Sequence, residues 1–206
     1  MEAILIPVKR LSEAKLRLAG VLGPAERRRL ALAMLADVLE AAGAWPLRVV
    51  VTSDTDAASL AQAVGWAIVP DPGSGLNDAV AAGTTAIATA GATALLVLPF
   101  DVPLVTGLDL RTLFSSDADV AVARSDDGGT TGLLRRPPAA IAASFGPRSA
   151  DAHASAAAVA GLRFASLRLP GLSLDVDDAD DLRRLAESGR NNGSVHLAQE
   201  LLAALA

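Results

Sequence analysis

The 206-residue chain contains no cysteine, which excludes a disulfide scaffold, a thiol nucleophile, a zinc ribbon and an iron–sulfur cluster. Its two histidines, His153 and His196, are too few for a histidine-based metal site. No stretch approaches the ~18 consecutive apolar residues of a membrane span, and no basic-then-apolar leader precedes the first strand-like run. A cytoplasmic protein without a membrane partner is therefore expected. A net charge of −5 leaves no basic stripe of the kind that binds nucleic acid. Also missing are a G-x-x-x-x-G-K-[ST] phosphate loop and a G-x-G-x-x-G turn after the first strand, which argues against a P-loop ATPase and a conventional dinucleotide enzyme. Lysine is nearly absent. Of 18 basic residues 16 are arginine, and the two lysines, Lys9 and Lys15, stand six residues apart in one loop.

What is present is a strand–helix alternation. Short apolar runs at 4–8, 48–53, 67–70, 94–100, 119–124, 131–135 and 163–169 read as strands bounded by Gly, Pro, Asp or Ser. Helical spacing spans 24–42, 55–64, 76–90, 108–114, 149–160, 178–188 and 194–206, with Pro24 at the start and Gly43 past the end of the first. The alternation predicts an α/β fold: a mainly parallel sheet with helices on both faces. A chain of this length buries roughly 70% of its unfolded surface, enough for one core. A single domain over 1–206 is expected, its last helix packing on the core or on a second copy in a homodimer.

In such sheets ligands bind beyond the carboxyl ends of the strands. Five segments fall there: Lys9 to Arg17, Asp71 to Asn77, Asp101 with Val102-Pro103, Gly128 to Thr131, and Asp175-Val176-Asp177-Asp178. Asp101 suits either a turn or a hard oxygen ligand for Mg²⁺. Asp175 and Asp177 share one side if their segment is extended, where a cation would relieve their repulsion. Helix capping by Asp177 or Asp178 is the other reading, and it leaves Asp175 unexplained. Carboxylates opposite a basic loop suit nucleotidyl transfer, in which cations hold a polyphosphate. Gly73 and Gly75 allow close approach of a ligand, and Asn77 offers a donor and an acceptor that suit either a purine edge or a loop-to-helix turn. Ser149 sits where it would cap a helix whose amides favour an anion; His153, four residues on, lies either beside that anion or in solvent.

Taken together, Ile6-Pro7-Val8-Lys9, Ala14-Lys15-Leu16-Arg17-Leu18, Asp71-Pro72-Gly73-Ser74-Gly75-Leu76-Asn77, Pro99-Phe100-Asp101-Val102-Pro103, Gly128-Gly129-Thr130-Thr131 and Phe145-Gly146-x-x-Ser149-x-x-x-His153 resemble the 2-phospho-L-lactate / phosphoenolpyruvate guanylyltransferase family of coenzyme F-420 biosynthesis. The resemblance runs in order from residue 4 to about 182. It implies a Rossmann-like nucleotidyltransferase fold of the GT-A type, and transfer of GMP from GTP to a phosphorylated three-carbon acid. By matching positions, Lys9, Lys15, Arg17, Asp71, Gly73, Gly75 and Asn77 would hold GTP. Asp101, Asp175 and Asp177 would hold two Mg²⁺, Lys15 and Asp101 would serve catalysis, and Thr131, Gly146, Ser149 and His153 would meet the acid. A downstream deazaflavin-accepting transferase is an implied partner. Thr131 stands where the family often has Asn, which bears on acid choice. The Arg- and Ala-rich composition resembles that of actinobacterial members, for which phosphoenolpyruvate is implied. A molybdenum-cofactor-type guanylyltransferase would need a glycine-rich loop where Pro7-Val8-Lys9 stands. A sugar-phosphate nucleotidyltransferase would need a larger acceptor domain, and a non-catalytic GTP sensor would have no need of three metal aspartates.

Overall fold

The computed structural model describes residues 1–205. Its seven-stranded sheet has the order β3-β2-β1-β4-β6-β5-β7, built from β1 (Glu2–Val8), β2 (Leu47–Thr52), β3 (Ala67–Val69), β4 (Ala94–Val97), β5 (Val120–Arg124), β6 (Thr130–Arg135) and β7 (Phe164–Leu167). The first four strands are mutually parallel, and β7 runs parallel to β5. Only β6 is reversed, inserted between β4 and β5 by the tight turn at 125–129. From β1 the chain steps outward to β2 and β3, then returns to place β4 on the other side of β1. Such a reversal opens a crevice at the carboxyl ends of the two diverging strands. Here those ends carry Lys9 and Asp101.

Seven α-helices cover the sheet: α1 (Pro24–Ala41), α2 (Thr55–Ala63), α3 (Leu76–Thr89), α4 (Gly107–Phe114), α5 (Ser149–Val159), α6 (Ala179–Ala186) and α7 (Gly193–Ala203). The cores on the two faces are separate. Ile4, Ile6 and Leu96 pack with Leu35, Val38, Leu182 and Leu201 on one face; Leu5, Val51 and Val97 pack with Val80, Ile87 and Ala157 on the other. α3 lies so close to the sheet that a Cβ on Gly83 would come 2.5 Å from Leu5 and 2.6 Å from Val51. A mid-helix glycine costs about 1 kcal/mol in propensity. Overpacking at a buried contact costs roughly 1–3 kcal/mol, so close approach wins and glycine stays. α7 docks on α1 and α6, its first amides received by Asp37 of α1: Gly193 N at 3.1 Å and Ser194 N at 2.8 Å.

Several predicted boundaries move for local reasons. The strand expected over 94–100 ends at Val97, and that over 67–70 at Val69, because Pro99 and Pro70 have no N–H to continue a ladder. α6 starts at Ala179, with Asp178 as its cap, and α7 ends at Ala203, residue 206 lying outside the described residues. The basic loop after β1 is not irregular: it forms two 3-10 turns, Leu11–Glu13 and Leu16–Gly20. Among the described residues no helix is long and apolar enough to cross a membrane.

Candidate active site

The crevice has a volume of about 730 Å³. Its walls are Lys9 and Arg10 after β1, the loop containing Asp71, Gly73 and Gly75 after β3, and Phe100 and Asp101 after β4, with Phe145 and Asp177 closing the ends. Lys15 reaches it from the 3-10 loop. Its backbone is left-handed (φ +56°), an unfavourable state for a residue with a Cβ, and its side chain is only 3% exposed. This geometry aims Nζ between two carboxylates: 2.6 Å from Asp101 Oδ2 and 2.9 Å from Asp177 Oδ1, with the Phe100 ring centroid 5.4 Å away. Burial alone would lower the lysine pKa, but the charges of Asp101 and Asp177 outweigh it and hold the ammonium above its ordinary value. Burial likewise pushes the Asp177 carboxyl up, and Lys15, aided by Arg17 and Lys9, brings it below the usual carboxylate range. Asp175 has no such partner. Burial, and then the charges of Asp101, Asp127 and Asp177, raise it to about 6.

Arg17 is exposed and touches Asp177 at 3.6 Å and Asp178 at 3.4 Å. Exposed contacts of this kind are weak, so Arg17 can swing to an incoming phosphate at little cost. Asp178, not Asp177, caps α6: its Oδ1 accepts from Asp180 N at 3.0 Å and Asp181 N at 3.2 Å. That leaves the Asp177 side chain free for the crevice. Asp71 folds back onto Gly73 N at 2.9 Å, and Gly73 (φ +79°) and Gly75 (φ +121°) take conformations that exclude most side chains. The loop is thereby shaped for close backbone approach.

Four expectations need correction. Asn77 does not offer a free amide to a base. Its Nδ2 donates to Phe145 O (3.3 Å) and its Oδ1 accepts from Phe145 N (2.8 Å). Ser149 does not cap α5; Arg148 (φ +52°) holds the cap position, and Ser149 Oγ donates to Thr130 Oγ1 at 3.0 Å. His153 does not face solvent, and both of its ring nitrogens are engaged within the protein. It is fully buried, with Nε2 accepting from Ser144 N at 3.0 Å and Nδ1 beside Thr130 Oγ1 at 3.1 Å. The Thr131 side chain is buried and does not face the crevice. Arg124 pairs with Thr130 and Ala123 with Gly132, so Thr131 is the extra residue of a β-bulge. The bulge turns Thr131 Oγ1 onto Leu172 O and Ala123 O, and leaves Thr130 facing Ser149 and His153. Gly146 (φ +145°) lies between Phe145 and α5.

Thr130, Phe145 and Phe100 belong to motifs in the sequence, but their individual contacts are visible only in the structure; Asp54 carries no sequence signal beyond a helix cap. Asp54 accepts the Leu11 amide at 3.0 Å, as well as capping α2, and so anchors the basic loop to the end of β2.

The buried state of His153 has a measurable consequence. Burial, aided by the Arg135 charge, lowers its pKa from 6.5 to about 4. Between those values the unfolded chain binds a proton that the folded protein does not. The stability contributed is full above pH 6.5 and is lost as pH falls toward 4, by up to about 3 kcal/mol. Asp175, raised to about 6, opposes this over part of the window, so the test compares variants. Urea midpoints measured from pH 7 to 4 should fall more steeply for the wild type than for His153→Gln; parallel slopes would contradict the assignment.

The crevice, with its cations facing carboxylates at a topological switch point, has the form of a nucleotidyltransferase site. Solved structures agree at the level of fold. A nucleotide-diphospho-sugar transferase candidate from Desulfovibrio desulfuricans G20 superposes with a TM-score of 0.83 at 18% identity, covering 99% of this chain and 96% of that one. A cytidylyltransferase from Leptospira borgpetersenii gives 0.61 at 14% identity, covering 98% and 92%. The family model "Guanylyl transferase CofC like" matches residues 2–203, and the chain belongs to that family. Relatives named phosphoenolpyruvate guanylyltransferase include those of Chloroflexus aggregans, 40% identical over 92% of this chain and 99% of the relative, and Rubrobacter xylanophilus, 40% identical over 89% and 93%.

Proposed function

We propose that the chain transfers GMP from GTP to phosphoenolpyruvate. A phosphate oxygen of the acid attacks the α-phosphorus, the α–β bridging P–O bond breaks, and pyrophosphate leaves as a phosphoanhydride forms. The observation that carries this reading is the Lys15 ammonium held 2.6 and 2.9 Å from Asp101 and Asp177, two carboxylates that line the crevice with Lys9, Gly73 and Gly75. The named relatives support the choice of acid.

Hard carboxylate oxygens suit a divalent cation, although among the described residues no three acidic or histidine side chains are arranged as a metal cluster and Lys15 Nζ occupies the point where Asp101 and Asp177 meet. Two carboxylates converge on one point, and Asp175 has its pKa raised by burial first and then by the charges of Asp101, Asp127 and Asp177. Asp101, Asp175 and Asp177 would hold Mg²⁺, two ions in our reading, which supplies charge neutralisation along the triphosphate. Lys9, Lys15 and Arg17 attract the triphosphate, and the Asp71–Gly75 loop lets backbone approach it closely. Gly146 and the main chain at the Thr131 bulge face the acid, with Ser149 behind them. The product passes to a deazaflavin-accepting transferase.

The test is competition in one pot: GTP with equal phosphoenolpyruvate and 2-phospho-L-lactate, pyrophosphatase present, products read by mass spectrometry. The two acids share a phosphate and a carboxylate and differ only at C2 and C3, so we expect phosphoenolpyruvate to win by no more than about two hundredfold. A preference for phospholactate would overturn the acid assignment. Because the Thr131 side chain turns away from the acid, Thr131→Asn should leave the ratio unchanged if it folds.

A further inference from the structure

The turn at 144–146 is held by side chains from two other elements, α3 and α5. From α3, the Asn77 amide clasps both main-chain groups of Phe145, accepting its N–H at 2.8 Å and donating to its carbonyl at 3.3 Å. From α5, His153 Nε2 accepts the Ser144 N–H at 3.0 Å. Since that nitrogen accepts, the proton lies on Nδ1 and points to Thr130 Oγ1, which also receives Ser149 Oγ–H. The Phe145 ring stands edge-on to His153 at 5.4 Å and forms part of the crevice wall. Ser149 N closes the turn onto Gly146 O at 3.1 Å. Asn77 itself lies in the first turn of α3, directly after the Asp71–Gly75 loop.

We propose that Asn77 is a positioning residue that fastens the nucleotide-side loop to the acid-side turn, with His153 fixing the other end of that turn. The inference rests on the functional reading above and deepens it: Asn77 acts on the acid, through Phe145, and not on the base. A primary amide suits this task because it alone among short side chains offers a donor and an acceptor spaced to match one residue's N–H and C=O. Losing both hydrogen bonds frees the turn without leaving a buried group unpaired, since the Phe145 main-chain groups they serve lie at the solvent-exposed surface.

Two measurements on Asn77→Ala test the proposal, and alanine at this helical position preserves folding. The first is amide hydrogen exchange of the unliganded protein over 141–148. Exchange of Ser144 and Phe145 should accelerate at least about tenfold, the change expected when net hydrogen bonds of ordinary strength are lost. The second is the steady-state split: KM for phosphoenolpyruvate should rise about tenfold while KM for GTP stays within twofold. His153→Gln, which keeps an acceptor for Ser144 N, should give a smaller rise in the same KM. Unchanged exchange in Asn77→Ala would overturn the clasp. A rise in KM for GTP alone would return Asn77 to nucleotide reading. Exchange needs no turnover, so absence of transfer in the wild type would fail the functional reading while the exchange result still judged the clasp.

Discussion

Asp101→Asn is expected to slow transfer about 10²–10³-fold, a loss of roughly 3–4 kcal/mol in transition-state stabilisation. The substitution keeps the side-chain shape and an oxygen able to accept from Lys15 Nζ, now 2.6 Å from Asp101 Oδ2. What it removes is the charge that pairs with the Lys15 ammonium and would help hold a divalent cation. Lys15 retains Asp177 as a counterion at 2.9 Å, so the melting temperature should move little. Single-turnover transfer at saturating substrate separates this from weakened binding. A rate within a few-fold of wild type would remove Asp101 from the chemistry and leave it as a turn residue before Val102-Pro103.

Lys15→Ala should act on both activity and stability, because one ammonium neutralises two carboxylates. Transfer should fall by at least about 10²-fold, with KM for GTP raised through lost attraction for the polyphosphate. Breaking a fully buried pair costs roughly 3–5 kcal/mol. Asp101 and Asp177 retain side-chain exposures of 21% and 44%, so water screens them and the cost should be nearer 1–2 kcal/mol. Removing the lysine also frees the point between the carboxylates. Magnesium without nucleotide should therefore raise the melting temperature of Lys15→Ala more than that of the wild type, where the cation competes with the ammonium. Equal responses would mean that the two carboxylates do not hold the cation.

Periodicity and punctuation made the sheet and its helices legible, and the order of motifs made the crevice legible. Pro24 and Gly43 bracket α1, and the glycines at 73 and 75 do take positive φ. Boundaries failed where proline ends a ladder, at Pro70 and Pro99. The crevice residues Lys9, Lys15, Asp71, Gly73, Gly75, Asp101 and Asp177 come together because each lies at the carboxyl end of a strand or in a loop anchored there. Around β6 and the start of α5, single-residue detail decided the outcome. A bulge invisible to alternation turned the Thr131 side chain onto Leu172 and Ala123 and left Thr130 facing Ser149 and His153, and a left-handed Arg148 took the cap position from Ser149. Asn77 and His153 carry groups able to bind ligands, yet those groups are spent on the 144–146 turn, 68 and 9 residues away at their nearest bonds. Hydrogen bonds over such separations leave no periodic trace in a sequence.

The most direct measurement uses GTP labelled at the α-phosphorus, with Mg²⁺, pyrophosphatase and phosphoenolpyruvate. Label is expected to move from GTP into a guanosine diphosphate-linked acid, in amounts matching the pyrophosphate released, and only when the acid is present. GTP that binds but keeps its label with either acid would contradict a guanylyl transfer site.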